Sequence, residues 1–295
     1  MNKTILIGNG INNINNNSSW SHLLKKISNI EGVKINLSKE KPFPLLYEEI
    51  YLKLSQKINK DEEDLKSEIA RFVSKIETND IHEELLNLNI KNYLTTNYDY
   101  CLQKVLIKDQ PLEILNNNGI VKETKYNIFR HHLLGEKRFW HIHGEINVPN
   151  SITLGFEHYG GQLQQYRNYV VTGTSYNNKK LSNQLPLQKR LKENLLINDE
   201  SWLDFFFKDE VHIIGLNLSY QETDLWWLLT NRARFILSSK GLPKYKSEII
   251  YYCPEIYRDP NKTELLEANQ IKCIYINLEK EKYYKEVIKR IHNGN

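Results

Sequence analysis

The chain has 295 residues, 40% hydrophobic and 26% charged, a balance that supports a globular α/β protein with a sizeable core. Its net charge of +4 comes from scattered rather than clustered lysines, which argues against a nucleic-acid surface, and no apolar run approaches the ~20 residues that span a bilayer. Cys101, Cys253 and Cys273 are far apart and form no CxxC pair, and the first residues lack the blocks of a secretory leader, so a cytoplasmic protein without a disulfide framework is expected.

Thr4 to Ile7 form a branched, apolar run suited to a strand buried on both faces, and Gly8-Asn9-Gly10 follows at once. Two glycines around one residue turn the chain sharply and expose N–H groups, an arrangement that receives phosphates after the first strand of many α/β sheets. A third glycine, which a dinucleotide fingerprint would place at Asn13, is absent. The polar stretch Asn12 to Asn17 reads as a loop, and Ser18-Ser19-Trp20 offers a cap for a helix with Trp20, Leu23, Leu24 and Ile27 on one face.

Pro42 and Pro44 interrupt the chain before three amphipathic helices, Leu45 to Ile58, Glu62 to Ile76 and Ile81 to Leu88, expected as a helical insertion over about 42–90. Tyr93 to Thr95 is a short strand and Tyr98 to Leu106 a helix, so Thr96, Asn97 and Asp99 fall at a strand-to-helix junction, although Asn97 is also a good helix cap. Asn116 to Gly119 reads as a turn. Phe139 to Ile142 is a further strand leading into His143-Gly144, with Ser151 to Leu154 expected to pair beside it. The polar, Tyr-rich stretch Glu157 to Asn178 and helices over Lys179 to Leu196 and Glu200 to Phe207 suggest a lid or small subdomain over about 155–208.

Glu210 to Ile214 is a strand ending in Gly215-Leu216-Asn217-Leu218-Ser219. A helix over Gln221 to Leu237, strands at Glu248 to Tyr252 and Ile271 to Ile276, and a helix over Lys280 to Ile291 complete the chain. Alternating strands and helices imply crossover connections, hence a Rossmann-like parallel sheet with helices on both faces, within one domain spanning 1–295. Its strands present their carboxyl ends on one edge, so the loops Gly8–Asn12, Thr96–Asp99, His143–Gly144 and Gly215–Ser219 are expected to converge.

GNGIN, TTNYD, HIHG and GLNLS, in this order, resemble the motif set of the sirtuin family. The segments around LIGNGIN and GLNLSYQETDLWWLL are similar to the bacterial anti-phage defence branch, which includes the NAD hydrolase of the Thoeris system. The resemblance covers residue 3 to about 235. It implies that NAD is the substrate, with Gly8, Gly10, Asn12, Thr96, Asp99, Gly215, Asn217 and Ser219 binding it. By the same resemblance Asn97 orients water beside the nicotinamide ribose, and His143 acts as general base on the ribose. Three dispersed cysteines cannot supply the four-Cys zinc ribbon of protein-deacetylating sirtuins, which favours water as acceptor and hence NAD hydrolysis, in an abortive-infection effector.

Two other readings stay open. The chain could be a sensor that binds NAD or ADP-ribose without turnover. His131, His132, His141 and His143 could instead serve a metal-assisted hydrolase, although the expectation is no metal, because no carboxylate or third His stands at a diagnostic spacing. Trp226, Trp227, Arg232 and Arg234 read either as a base-stacking surface or as core aromatics with structural arginines. An effector of this kind needs restraint, so a homo-oligomer or a partner defence protein is expected, with the Tyr-rich segment and the Trp226 helix as contact surfaces.

Overall fold

The computed structural model describes residues 1–15, 23, 25–27, 35, 36, 38, 41–59, 61–107, 125–173, 185–238 and 247–294. Among these described residues seven strands form one sheet in the order β3-β4-β2-β1-β5-β6-β7. They are β1 Lys3–Ile7, β2 Asn92–Thr95, β3 His132–Leu134, β4 Lys137–His141, β5 Glu210–Ile214, β6 Glu248–Pro254 and β7 Lys272–Ile276. Every pairing is parallel except β3 with β4. The Rossmann-like α/β class read from the sequence is therefore the observed one.

Alternation along each strand builds two cores. Leu6, Val211, Ile213, Ile249 and Tyr251 face one layer, packed with Tyr166, Trp202, Phe205, Phe206 and Leu228. Ile5, Ile7, Ile214, Ile250 and Tyr252 face the other, against Ile81, Leu85, Tyr283, Val287 and Ile291. The first layer carries α5 Phe156–Arg167, α6 Leu187–Lys192, α7 Phe205–Lys208 and α8 Thr223–Ser238; the second carries α3 Asp80–Leu86 and α10 Lys280–Asn293. A separate cluster joins α1 Phe43–Ile58 and α2 Glu62–Val73 to Tyr98, Tyr100, Ile146 and Ile152. Among the described residues no helix is long and apolar enough to cross a membrane.

Several elements differ from their expected form. Ser151 to Leu154 forms no strand: Pro149–Ser151 is a short 3-10 turn, and the strand that flanks β4 on the side away from β2 is the antiparallel β3. Much of the Tyr-rich stretch is α5, which runs on into a wider π turn, Asn168–Thr172, and buries Tyr159, Tyr166 and Tyr169. The helix after β2, α4 Cys101–Ile107, starts three residues later than expected, because the Asp99 carboxylate accepts the Cys101 N–H at 2.9 Å. Within Lys179 to Leu196 the described helix is α6 alone, and α9 Pro260–Ala268, capped by Asp259, was not foreseen. The Ser18–Trp20 cap and the Asn116–Gly119 turn lie outside the described residues.

The Trp226 helix is a core element. Trp226 and Trp227 are half-buried against the first layer. Arg232 is 1% exposed and donates to the Phe206 and Ser247 carbonyls at 2.9 and 2.6 Å, which binds α8 to the start of β6. This is a structural arginine rather than a base-stacking one.

Candidate functional site

Strand register brings the four motif loops together. Ile7 lies beside Thr95 and Ile214, and Thr95 beside His141. The next residues, Gly8, Thr96, Ile142 and Gly215, therefore leave the sheet at one level of its carboxyl edge. The chain runs outward from β1 in both directions, to β2 and to β5, and such a reversal opens a crevice at that edge. A cavity of about 330 Å³ lies there, within the ~300–1,000 Å³ range of ligand pockets. Gly10, Thr96, His143, Gly215, Asn217 and Ser219 line it, together with Asn9, Tyr98, Tyr159, Gln221 and Glu222.

The N–H groups of the glycine turn are engaged within the fold. The Gly8 N–H donates to the Ile214 carbonyl at 2.9 Å and the Gly10 N–H to the Gly215 carbonyl at 2.8 Å, so neither points at a ligand. A Cβ on Gly8 would stand 2.5 Å from Gly215 O and Leu216 Cα, and one on Gly10 would stand 2.6 Å from the Tyr284 hydroxyl. These glycines let the loops after β1 and β5 close on each other and form the cavity floor.

His143 is held from behind. Its Nε2 lies 2.9 Å from Asp224 Oδ2, and the Tyr166 hydroxyl donates to the same oxygen at 3.1 Å. A carboxylate only accepts, so Nε2 carries the hydrogen and the lone pair of the neutral ring sits on Nδ1. Tyr159 packs edge-on against the imidazole with centroids 5.6 Å apart. Burial lowers the His143 pKa, but the Asp224 charge and hydrogen bond outweigh it, and the net shift is upward. Gly144 follows at φ +95°, where a Cβ would stand 2.2 Å from Ser151 O. The His-Gly pair thus needs its glycine for backbone geometry.

Asn97, Asp99 and Asn12 lie beside the cavity rather than on its wall. Asn97 lines a narrow cleft with Asn9, Tyr98 and Asp99. Its Nδ2 reaches Gly8 O at 3.4 Å, while Oδ1 is buried without a protein partner among the described residues. Asn12 is 2% exposed; its Nδ2 donates to Asp99 Oδ2 at 2.8 Å and its Oδ1 meets His82 Nε2 at 3.1 Å. Asp99 is thus both helix cap and brace for the turn after β1.

Behind Asn97 lies a cluster that sequence spacing did not reveal. Atoms of His132, His141 and Glu145 that could hold a metal lie within 4.8 Å of one another, and all three residues are buried. The carboxylate missing from the histidine pattern is therefore present. Each group already has partners, however. Glu145 takes the Arg130 guanidinium, the His132 ring and the Tyr100 hydroxyl. His141 Nδ1 donates to the Asn97 carbonyl at 2.8 Å, so Nε2 accepts from Gln103 at 2.6 Å. Burial raises the Glu145 pKa, but the His132 hydrogen bond and the nearby positive charge dominate and hold it below the usual carboxylate range.

Asp224 and Glu222 were also missed. Both stand just beyond the Gly215–Ser219 motif, and the only signal was an acidic pair opening α8. Burial pushes the Glu222 carboxyl up to about 7, against the pull of His143 and with help from Asp224.

The SIR2-like domain model matches residues 91–274, more than half the chain, and the chain belongs to that family. SIR2-like domains are NAD-dependent enzymes in general, and the cavity stands at the sheet edge where such a ligand binds. No curated protein matches the sequence. The matched stretch contains Thr96, Asn97, His143, Gly215 and Asp224; the glycine turn lies ahead of it.

Proposed function

We propose that this protein hydrolyses NAD at the nicotinamide–ribose bond, giving nicotinamide and ADP-ribose. The observation that carries the reading is His143, at the cavity wall with Asp224 on its far nitrogen. As the C1′–N bond breaks, its electron pair leaves with nicotinamide, which departs neutral, and positive charge grows on the sugar. Water forms the new C1′–O bond and loses one proton. His143 Nδ1 is the acceptor for a proton from the ribose or from that water. The unpartnered Asn97 Oδ1 is suited to hold the water, once the side chain is reached through the cleft it shares with Asn9 and Tyr98.

The whole chain serves as one NAD-binding domain in this reading, with residues 42–90 as a helical insertion and 155–208 as the cover of the site. The motif likeness to anti-phage defence proteins supports a role as an abortive-infection effector in the cytoplasm, restrained by self-association or a partner protein. The test is to incubate the purified protein with NAD and separate the products. Release of nicotinamide and ADP-ribose, lost in both His143→Ala and Asn97→Ala, is expected. Tight ADP-ribose binding without turnover would instead make the protein a sensor, and activity that survives both substitutions would refute the assignment.

A further inference from the structure

Glu222 is a cavity-lining carboxyl that the motif set does not include. Its loop follows β5, whereas His143 follows β4, so two different strands deliver ionisable groups to one space. Among the described residues Glu222 Oε2 is buried without a protein partner; Asp224, two residues on, gives its Oδ2 to His143 and Tyr166, and its Oδ1 is likewise buried without a partner. An unpaired carboxylate oxygen inside a cavity is costly unless a ligand, water or proton satisfies it. The Gln221 N–H is turned to the Ser219 hydroxyl at 3.4 Å and the Glu222 N–H to the Ser219 carbonyl at 3.0 Å, which fixes the loop, and the Ser219 main chain also hydrogen-bonds the Glu222 carboxyl.

We propose that Glu222 is a second ionisable group of the reaction centre, whose carboxylate engages the ribose hydroxyls of the substrate and offsets the positive charge that grows at the anomeric carbon. This rests on the NAD-cleaving reading above. A vicinal diol offers two donors to one carboxylate, and a negative group in a closed site acts most strongly where charge develops in the transition state. Of the titratable groups that face it, His143 and Lys262 favour its ionised form and Asp224 on α8 disfavours it; Tyr98 after β2 and Tyr159 on α5 face it as neutral phenols, whose pKa values its charge helps to raise. Glu222 and His143 then both have to be deprotonated for turnover, and they titrate as a pair.

The test compares wild type, Glu222→Gln and Glu222→Asp in NAD turnover from pH 5 to 9. The acid limb of log kcat against pH should have a slope near two in the wild type and near one in Glu222→Gln. That variant should lose about 100-fold or more in kcat at neutral pH with a small change in KM, and Glu222→Asp should recover part of the loss. Calorimetry in buffers of different ionisation heat should show proton release on ADP-ribose binding to wild type, reduced in Glu222→Gln. A wild type that consumes NAD while Glu222→Gln keeps its rate within twofold and its slope unchanged overturns this inference alone. A wild type that neither consumes NAD nor binds ADP-ribose overturns the functional reading and this inference with it.

Discussion

Replacing Asp224 by Asn is the sharpest test of how the site works. The carboxylate lies 2.9 Å from His143 Nε2, and both side chains are buried. At an effective dielectric of about 20 their attraction in the protonated state is about 6 kcal/mol, which explains why the upward pull on His143 wins over burial. Asn keeps the volume but loses the charge, and its amide is free to present a donor to Nε2 and so reverse the tautomer. A base that has lost its orienting carboxylate loses about 10²–10⁴-fold in rate. We therefore expect NAD turnover to fall at least 100-fold with KM little changed. A base acts in its neutral form, so activity rises as pH climbs through the His143 pKa. Removing Asp224 lowers that pKa and should move the residual limb to more acid pH. The same pair has a stability signature: a raised histidine pKa stabilises the fold below the ordinary histidine value, and the contribution is lost as pH rises through the shifted one. Thermal melts at pH 5 and pH 9 should show the wild-type advantage over Asp224→Asn shrinking at the higher pH. If Asp224→Asn retains half the wild-type rate, or if it and His143→Ala multiply their losses in the double variant, the two residues do not act as a unit and the reasoning fails.

Gly144→Ala should destabilise the protein by about 2 kcal/mol or more in denaturant unfolding and reduce turnover, because φ +95° and the 2.2 Å approach to Ser151 O leave no room for a Cβ; an unchanged midpoint would contradict this. Lys66 is fully buried, 3.3 Å from the Asn150 carbonyl and 3.9 Å from Glu62, and burial lowers its pKa to about 8. The cost of burying it is absent above the unfolded value of about 10.5, grows as pH falls to about 8 and is complete below. Lys66→Met should accordingly raise stability by about 1–3 kcal/mol at pH 7, with the gain gone near pH 10.5; equal gains at both pH values would refute the titration argument. Treatment with a strong chelator should leave the melting temperature unchanged, since Arg130, Tyr100 and Gln103 already occupy the His132–His141–Glu145 groups. A fall in melting temperature with release of stoichiometric zinc would make the cluster a metal centre.

The sheet was legible because β1, β2 and β5 are apolar runs ended by glycine or by Thr-Asn, and such runs suit strands covered on both faces. β3 escaped because it is three residues long and begins at His132, whose side chain serves the polar cluster rather than the core. α5 was obscured by Gly160-Gly161 and its polar residues. Gly161 is a packing necessity, with the Tyr126 ring 2.2 Å from where a Cβ would stand, whereas Gly160 faces open space. Tyr159 and Tyr166, two turns apart on one helical face, were the available sign of a buried helix.

The site divides along a similar line. His143, Thr96 and Gly215 were readable because a polar residue or a glycine at a strand's carboxyl end has a position fixed by topology alone. Asp224 stands 81 residues from His143 in the chain, and only the packing of α8 and α5 under the β4 loop brings it to Nε2. The His141–Asn97 link was likewise invisible, since the partner is a main-chain carbonyl. The HIH pair sorts itself by this geometry. The two histidines lie two residues apart; His141, the last residue of β4, braces the Asn97 backbone, while His143, beyond the strand's end, reaches the cavity. One strand end thereby positions both proposed catalytic side chains, which is why a change at Gly144 or Gln103 should be felt at the reaction centre although neither side chain lines it.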